Sequence, residues 1–115
     1  MISHTTKIIQ VTDTHLFSDH EKSMYGVKTN QRFEQVIAKL AQQDKELIFL
    51  TGDISQDESP ESYHYAAKRL SALNTPIYWI AGNHDDQKCV DAIFAKYPNF
   101  IKTDCLNIHP WRFIF

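Results

Sequence analysis

The chain has 115 residues, with 12 Lys and Arg against 14 Asp and Glu, a net charge of −2 and 43% apolar residues. This length suits one domain, and the apolar content suffices for a hydrophobic core, which excludes a disordered or low-complexity chain. The near-neutral charge provides no basic field, so we expect neither nucleic acid nor a membrane surface as a partner. No apolar run approaches the ~20 residues of a membrane span.

The two cysteines and the first residues bear on the cellular compartment. The first residues lack the apolar block of a secretory signal, and Cys89 and Cys105 are the only thiols. In an unexported chain two thiols are expected to be free. The sequence therefore predicts a reduced protein of the cytoplasm, and it makes no prediction of the oligomeric state.

Short apolar runs alternate with helical patterns along the chain. The first helical pattern has Thr29 or Asn30 as its cap. The second has Ser59 as its cap with Pro60 in the first turn, and a third runs over residues 86–96. This order predicts an α/β fold with parallel strands and right-handed crossovers. The strands, apolar enough to be covered on both faces, are predicted over Ile8–Thr12, Leu47–Thr51 and Ile77–Ala81.

The last five residues, Trp111–Phe115, predict another strand. A domain that stops on a bare apolar strand leaves an unpaired edge. We therefore expect residues 1–115 to be the N-terminal part of a longer domain. The alternative is a complete small open sheet with this strand at its edge.

Polar side chains follow each of the first three strands. The carboxyl ends of parallel strands lie at one edge of a sheet, which is where α/β proteins bind ligands. Glycines precede two of these groups, where the backbone turns sharply. The polar residues are Asp13 and His15 after the first strand, Asp53 after the second, and Asn83, His84 and Asp85 after the third.

The residue types in this set are those of a metal centre. Carboxylate, amide and imidazole groups suit Mn, Fe or Zn. Asp13 and His15 are two residues apart on what we expect to be extended chain, so both reach one ion. Asp53 has two oxygens with which to bridge a pair of ions, and Asn83 offers an oxygen to the second. Two such ions ~3.5–4 Å apart clamp the attacking and leaving oxygens in phosphoryl displacement.

Three of these segments resemble the motifs of the calcineurin-like metallophosphoesterases. The family's D-x-H, G-D and G-N-H-D blocks match Asp13 to His15, Gly52-Asp53 and Gly82 to Asp85. Flanking stretches, among them residues 25–29 and 51–57, are similar to the bacterial 3′,5′-cyclic AMP phosphodiesterases of that superfamily. The resemblance implies the N-terminal half of that family's α/β sandwich and a small cyclic nucleotide as the substrate.

The resemblance also implies a role for each site residue. Asp13, His15 and Asp53 would hold the first metal ion, and Asp53 and Asn83 the second. His84 would contact the phosphate and assist the leaving oxygen, while Asp85 would orient the His84 ring. His15, Asp53, Asn83 and His84 would together surround the substrate. A hydroxide held between the metal ions would open the cyclic diester to a 5′-monophosphate.

The sequence departs from the family pattern in its histidines. Relatives carry a further lone His and then a G-H-x-H block downstream, and no such block occurs in this sequence. His109 is expected in a turn between strands, and His4, His20 and His64 are expected to be solvated or packing residues. With ligands missing, we expect these 115 residues alone to bind metal weakly and to be nearly inactive.

Other functions remain open at this point. Another branch of the superfamily, such as a nuclease, a nucleotidase or a pyrophosphatase, fits the same motifs, whereas the G-D-x-x-D-R-G pattern of protein phosphatases is absent. A receiver-like signalling module phosphorylated on Asp53 fits the length but lacks a Lys at a late strand end. A Rossmann or P-loop nucleotide-binding protein is less favoured still, because neither glycine motif occurs.

Overall fold

The computed structural model describes residues 5–115, and its main sheet is parallel. The first three strands lie side by side in chain order, which brings their carboxyl ends to one edge. This arrangement confirms the predicted α/β fold. The fourth strand has only two residues and was not predicted. The strands are β1 (Ile8–Thr12), β2 (Leu47–Thr51), β3 (Ile77–Ile80) and β4 (Phe100–Ile101).

One helix connects each pair of successive strands: α1 (Thr29–Gln42), α2 (Pro60–Ser71) and α3 (Gln87–Phe94). The cap of α2 is as predicted, since Ser59 Oγ accepts a hydrogen bond from Ser62 N at 3.1 Å. α3 ends at Phe94 and is shorter than the pattern indicated. None of the helices within residues 5–115 has the length and apolarity that crossing a membrane requires.

The start of α1 differs from the prediction. Lys28 occupies the N-cap position and makes no capping hydrogen bond through its side chain. Thr29 and Asn30, the expected caps, lie inside the helix and bind the preceding loop instead. Thr29 Oγ1 donates to the His15 carbonyl at 2.7 Å, and the buried Asn30 amide pairs with both the N–H and the carbonyl of Phe17. The two side chains therefore hold the preceding loop and do not cap the helix.

One face of the sheet is fully buried beneath the helices, and the other is only partly covered. Ile48 and Leu50 of β2 are completely buried, whereas Phe49 between them is half-buried. The expectation that the strands are covered on both faces is therefore right for one face only. The fully buried helix residues that pack on the sheet include Tyr63, Ala67, Leu70, Val90 and Phe94.

The end of the chain forms a separate antiparallel hairpin of β5 (Cys105–Ile108) and β6 (Trp111–Ile114). His109 lies in the turn of this hairpin, as predicted. The predicted last strand is thus paired within its own hairpin and is not an edge of the main sheet. Cys89 and Cys105 are both free thiols, also as predicted.

Candidate metal centre

The backbone pairing of β1 with β2 continues beyond the strands and places the first two motifs side by side. Thr12 pairs with Thr51 at the end of the ladder. Asp13 N then donates to the Gly52 carbonyl at 3.1 Å, and His15 N donates to the Asp53 carbonyl at 3.0 Å. The two motifs are therefore held together by main-chain hydrogen bonds, independently of any ligand.

Three residues of these motifs other than glycine have left-handed backbone conformations. The φ angles are 55° for Asp13, 45° for His15 and 48° for Asp53. The chain is therefore not extended here, and the reason given for Asp13 and His15 reaching one point was wrong. Such conformations cost about 1–3 kcal/mol each in residues other than glycine and concentrate at functional sites. The continued ladder holds this strained backbone in place.

The side chains of these three residues converge. One ligand atom from each of Asp13, His15 and Asp53 lies within 4.8 Å of the others. Nε2 of His15 is 3.6 Å from Oδ1 of Asp13, and the His15 side chain is only 15% exposed. Two carboxylates and one imidazole match the donor preferences of Mn, Fe and Zn, so the residues fit the metal that the motifs imply.

Gln56 lies behind His15 and was not singled out from the sequence. Its Oε1 is 2.9 Å from Nδ1 of His15, on the side of the ring away from Asp13. Its position was the one indication in the sequence, since Gln56 lies three residues after Asp53, beyond the end of the same strand. A contact of this kind depends on the conformation of the loop after β2, which no sequence pattern indicated.

The third motif closes over Asp53. His84 N donates to Oδ1 of Asp53 at 3.1 Å, and the His84 ring lies edge-on to the His15 ring with centroids 5.8 Å apart. A Cβ at Gly82 would lie 2.2 Å from Oδ1 and 2.3 Å from the backbone nitrogen of Asp53. Only glycine leaves space for this carboxylate. Asn83 is exposed in the same turn, and its role as a ligand stays a prediction.

The Asp85 carboxylate contacts backbone rather than the His84 ring. It accepts hydrogen bonds from Ile54 N, Ser55 N and Gly82 N at 2.8–3.1 Å, and from the Tyr63 hydroxyl at 3.0 Å. Within residues 5–115 it makes no hydrogen bond to His84, so the expected orienting contact is not observed. Asp85 instead connects the ends of β2 and β3.

Tyr63 completes this connection from α2. Its hydroxyl donates to Asp85 and accepts from Asp86 N at 2.8 Å. Burial, with a contribution from the Asp85 carboxylate, raises the pKa of Tyr63 above the ordinary value for tyrosine. The hydroxyl therefore remains protonated and able to donate. This polar contact of Tyr63 was not predicted.

The long loop from Phe17 to Lys28 is fixed at its beginning by Asp57. The Asp57 carboxylate accepts from Ser18 N at 2.8 Å and from Ser59 Oγ at 2.7 Å, which joins the loop to the start of α2. Burial alone would raise the pKa of Asp57, but the hydrogen bonds from Ser18 and Ser59 outweigh it and lower the pKa to about 2. Asp57 is thus an ionised structural residue.

His20 and His64 lie away from the convergent set. His20 is exposed and packs on Tyr65, with ring centroids 4.4 Å apart, and His64 is half-buried against Tyr97. Both observations agree with the predicted solvated or packing roles. His4 lies outside the described residues.

The parallel sheet carries a cluster of two carboxylates and an imidazole at its carboxyl edge. This arrangement is typical of metal-binding α/β proteins. The chain belongs to the calcineurin-like phosphoesterase family, whose model matches residues 6–114.

Several named bacterial proteins resemble this chain in sequence. It is 41% identical over 83 residues to the 3′,5′-cyclic adenosine monophosphate phosphodiesterase CpdA of Haemophilus influenzae, covering 70% of this chain and 30% of the relative. The enzyme of the same name from Vibrio vulnificus is 42% identical over 71% of this chain and 31% of its own length. That of Pseudomonas aeruginosa is 35% identical over 93% and 39%. The chain thus spans about a third of the length of these relatives.

Proposed function

We propose that this chain carries the metal-binding part of a phosphodiester hydrolase that converts 3′,5′-cyclic AMP to 5′-AMP. The convergence of donor atoms from Asp13, His15 and Asp53 within 4.8 Å carries the proposal. The substrate is supported by the relatives, which are cyclic AMP phosphodiesterases by name. Membership of the family supports hydrolysis of a phosphoester as the reaction.

The residues divide between two metal ions, with Fe, Mn or Zn as the candidates. Asp13, His15 and Asp53 would hold the first ion, and Asp53 and Asn83 would hold the second. When bound, a pair of divalent ions acidifies a water molecule and stabilises charge on the attacking and leaving oxygens. Asp53 suits the position shared by the two ions because its motif lies beside the first motif. Its Oδ1 also accepts a hydrogen bond from the backbone of the third motif.

His84 and Asp85 act beside these ligands. The exposed His84 ring, edge-on to His15, is in a position to hydrogen bond a phosphate oxygen and to give a proton to the leaving oxygen. Asp85 positions the turn that carries His84, through the bond from Gly82 N, and leaves the ring itself free. This is a revised role for Asp85, since the orienting bond to the ring is not observed.

The 115 residues alone are proposed to bind metal but to hydrolyse little. Within residues 5–115 the convergent donors of His, Cys, Asp and Glu form one group of three residues. Each ion would keep water in the positions that the relatives' downstream histidines fill, so we expect weaker binding than in a site with those ligands. We place the protein in the cytoplasm, with the two free thiols as support.

Metal uptake by the 115-residue chain tests the proposal. Isothermal titration with Mn²⁺ is expected to show binding that Asp53→Ala abolishes. Asp44→Ala is the matched control, because Asp44 is an exposed carboxylate whose ion pair with Lys7 lies outside the site. Unchanged uptake in Asp53→Ala contradicts the metal assignment.

A second assay separates the substrate classes. This assay uses a chain extended through the downstream histidine motifs of the relatives, because the 115 residues alone are expected to hydrolyse little. Its hydrolysis of cyclic AMP is compared with that of bis-p-nitrophenyl phosphate, an unselective diester, at saturating Mn²⁺. Preference for cyclic AMP supports the proposed substrate, and preference for the unselective diester favours another branch of the family. Stable labelling of Asp53 by acetyl phosphate without diester turnover would instead favour a receiver-like module.

A further inference from the structure

The His15 ring has different partners on its two nitrogens. Nδ1 is 2.9 Å from Oε1 of Gln56, which is hydrogen-bond distance. Nε2 is 3.6 Å from Oδ1 of Asp13, which is too long for a hydrogen bond. An amide oxygen only accepts, so the hydrogen of a neutral ring belongs on Nδ1. The lone pair of Nε2 then faces the carboxylates of the cluster.

Gln56 is itself held firmly. Its backbone N–H donates to the Leu16 carbonyl at 2.8 Å, and Leu16 N donates to the Ile54 carbonyl at 2.8 Å. Leu16 and Ser55, which form a parallel bridge next to it, are both completely buried. The Gln56 side chain therefore starts from a backbone fixed relative to His15, so the contact between them is built into the fold.

We infer that Gln56 is a positioning residue that fixes the Nδ1–H tautomer of His15 and keeps Nε2 free to bind a divalent cation. This inference rests on the proposed function, because it concerns a ligand of the candidate metal centre. A neutral imidazole without a fixed partner has either nitrogen protonated, and the Nε2–H form has no lone pair on the nitrogen that faces Asp13. Gln56 acts through His15 and does not touch the substrate.

The tautomer is measured first without metal. In ¹⁵N-labelled chain at about pH 8, where an imidazole is ordinarily neutral, two-bond ¹H–¹⁵N correlations report which ring nitrogen carries the hydrogen. The wild-type chain is expected to show His15 protonated on Nδ1. Gln56→Leu removes the acceptor and is expected to shift the ring toward Nε2–H. Gln56→Glu keeps an acceptor and is expected to retain Nδ1–H.

Metal affinity is measured second, by calorimetric titration with Mn²⁺. Gln56→Leu is expected to weaken binding by about tenfold to hundredfold, the usual range for losing such a partner. Gln56→Glu is expected to bind at least as tightly as the wild type. Gln42→Leu, an exposed position at the end of α1, is the matched control and should change neither readout.

Two results would overturn the inference: His15 protonated on Nε2 in the wild-type chain, or Gln56→Leu with unchanged tautomer and unchanged affinity. The wild-type spectrum alone decides the first, even if a variant fails to fold. Because the spectrum is recorded without metal, failure of the proposed function can be distinguished from failure of this inference. In that case Asp53→Ala leaves Mn²⁺ uptake unchanged while the tautomer still shifts in Gln56→Leu.

Discussion

Gly82 and Asp53 are in contact at the centre of the site, and this contact determines which residues the third motif accepts. A methyl group at Gly82 would overlap both the carboxylate and the backbone nitrogen of Asp53. The Asp53 carbonyl accepts from His15 N in the ladder that continues from β1 and β2, so the Asp53 backbone cannot move without disturbing that ladder. We therefore expect Gly82→Ala to displace the Asp53 carboxylate and to weaken Mn²⁺ binding by at least tenfold, measured by calorimetric titration.

Gly26→Ala is the control for this prediction. Gly26 also has a positive φ, 78°, but a Cβ there meets no atom within 4 Å. Its substitution should lower stability by about 1–2 kcal/mol through the left-handed backbone alone and leave metal uptake intact. Equal loss of uptake in both variants would show that general destabilisation, and not the Asp53 contact, is responsible.

Asp57 gives the chain an acid-sensitive contact. Its pKa in the folded chain, about 2, lies below the ordinary 3.8, so the ionised form stabilises folding above that ordinary value. The contribution is lost as pH falls from about 4 to about 2. We expect Asp57→Asn to lower the thermal midpoint at pH 7, with the difference from wild type shrinking over that interval.

The control for Asp57→Asn is Asp44→Asn, because Asp44 is almost fully exposed and pairs with Lys7 at 3.7 Å. Exposed pairs contribute little to stability, so this variant should follow the wild-type midpoint throughout. A constant difference between Asp57→Asn and wild type from pH 7 to pH 2 would contradict the assignment of ionised Asp57 as the stabilising form.

The sequence predicts some of these residues better than others, for a physical reason. Asp13 and Asp53 follow strand ends, and parallel strands bring their ends together, so their proximity follows from topology. The contacts of Gln56 and Asp85 depend on loop geometry over a few ångströms, which residue patterns do not encode. The left-handed backbone of His15 was also missed, since extended chain was the simplest assumption after a strand.

At the scale of elements, one hydroxyl of α2 bonds the turn between β3 and α3. Tyr63 is completely buried and bonds both Asp85 and Asp86. Tyr63→Phe keeps the ring but leaves two part-buried polar groups without this partner. We expect a loss of about 1–3 kcal/mol in the free energy of unfolding, measured by urea denaturation.

Tyr25→Phe tests whether losing any tyrosine hydroxyl has this effect. Tyr25 is 95% exposed, so its hydroxyl is satisfied by water in both states. Its removal should change the free energy of unfolding by less than about 0.5 kcal/mol. If Tyr63→Phe were equally neutral, Asp85 and Asp86 would have found other partners and the stabilising role of the Tyr63 hydroxyl would be incorrect.

Element boundaries were predictable where local chemistry alone determines them. Ser59 and Pro60 specify the start of α2 because a hydroxyl cap and a proline at the first position act within one turn. The start of α1 was mispredicted because Thr29 and Asn30 satisfy the loop that begins at Phe17, a contact 13 residues away for Asn30. Tertiary hydrogen bonds overrode a local preference there.

At the scale of the whole molecule, the alternation of strands and helices sufficed to predict the parallel sheet. β4 was missed because two residues carry no detectable periodicity, and it exists through its pairing with β3. The hairpin was half predicted. β6 is an apolar run, whereas β5 is recognisable only by its partner strand. Pairings between distant segments are the part of this fold that the residue pattern leaves undetermined.

The hairpin stabilises the molecule by covering the half-buried face of the main sheet. Phe113 and Phe115 lie edge-on to Phe49 of β2, with ring centroids 5.1 Å and 5.2 Å away. Removing the shared ring by Phe49→Ala should cost about 1–3 kcal/mol, less than a fully buried Phe. Hydrogen exchange should then quicken in β5 and β6 while β1 to β3 keep their protection.

Trp111→Ala is the control, because Trp111 lies on the same hairpin and is 69% exposed. It should change neither the free energy of unfolding nor the exchange rates. Uniformly faster exchange in Phe49→Ala would mean that the hairpin and the sheet unfold as one unit.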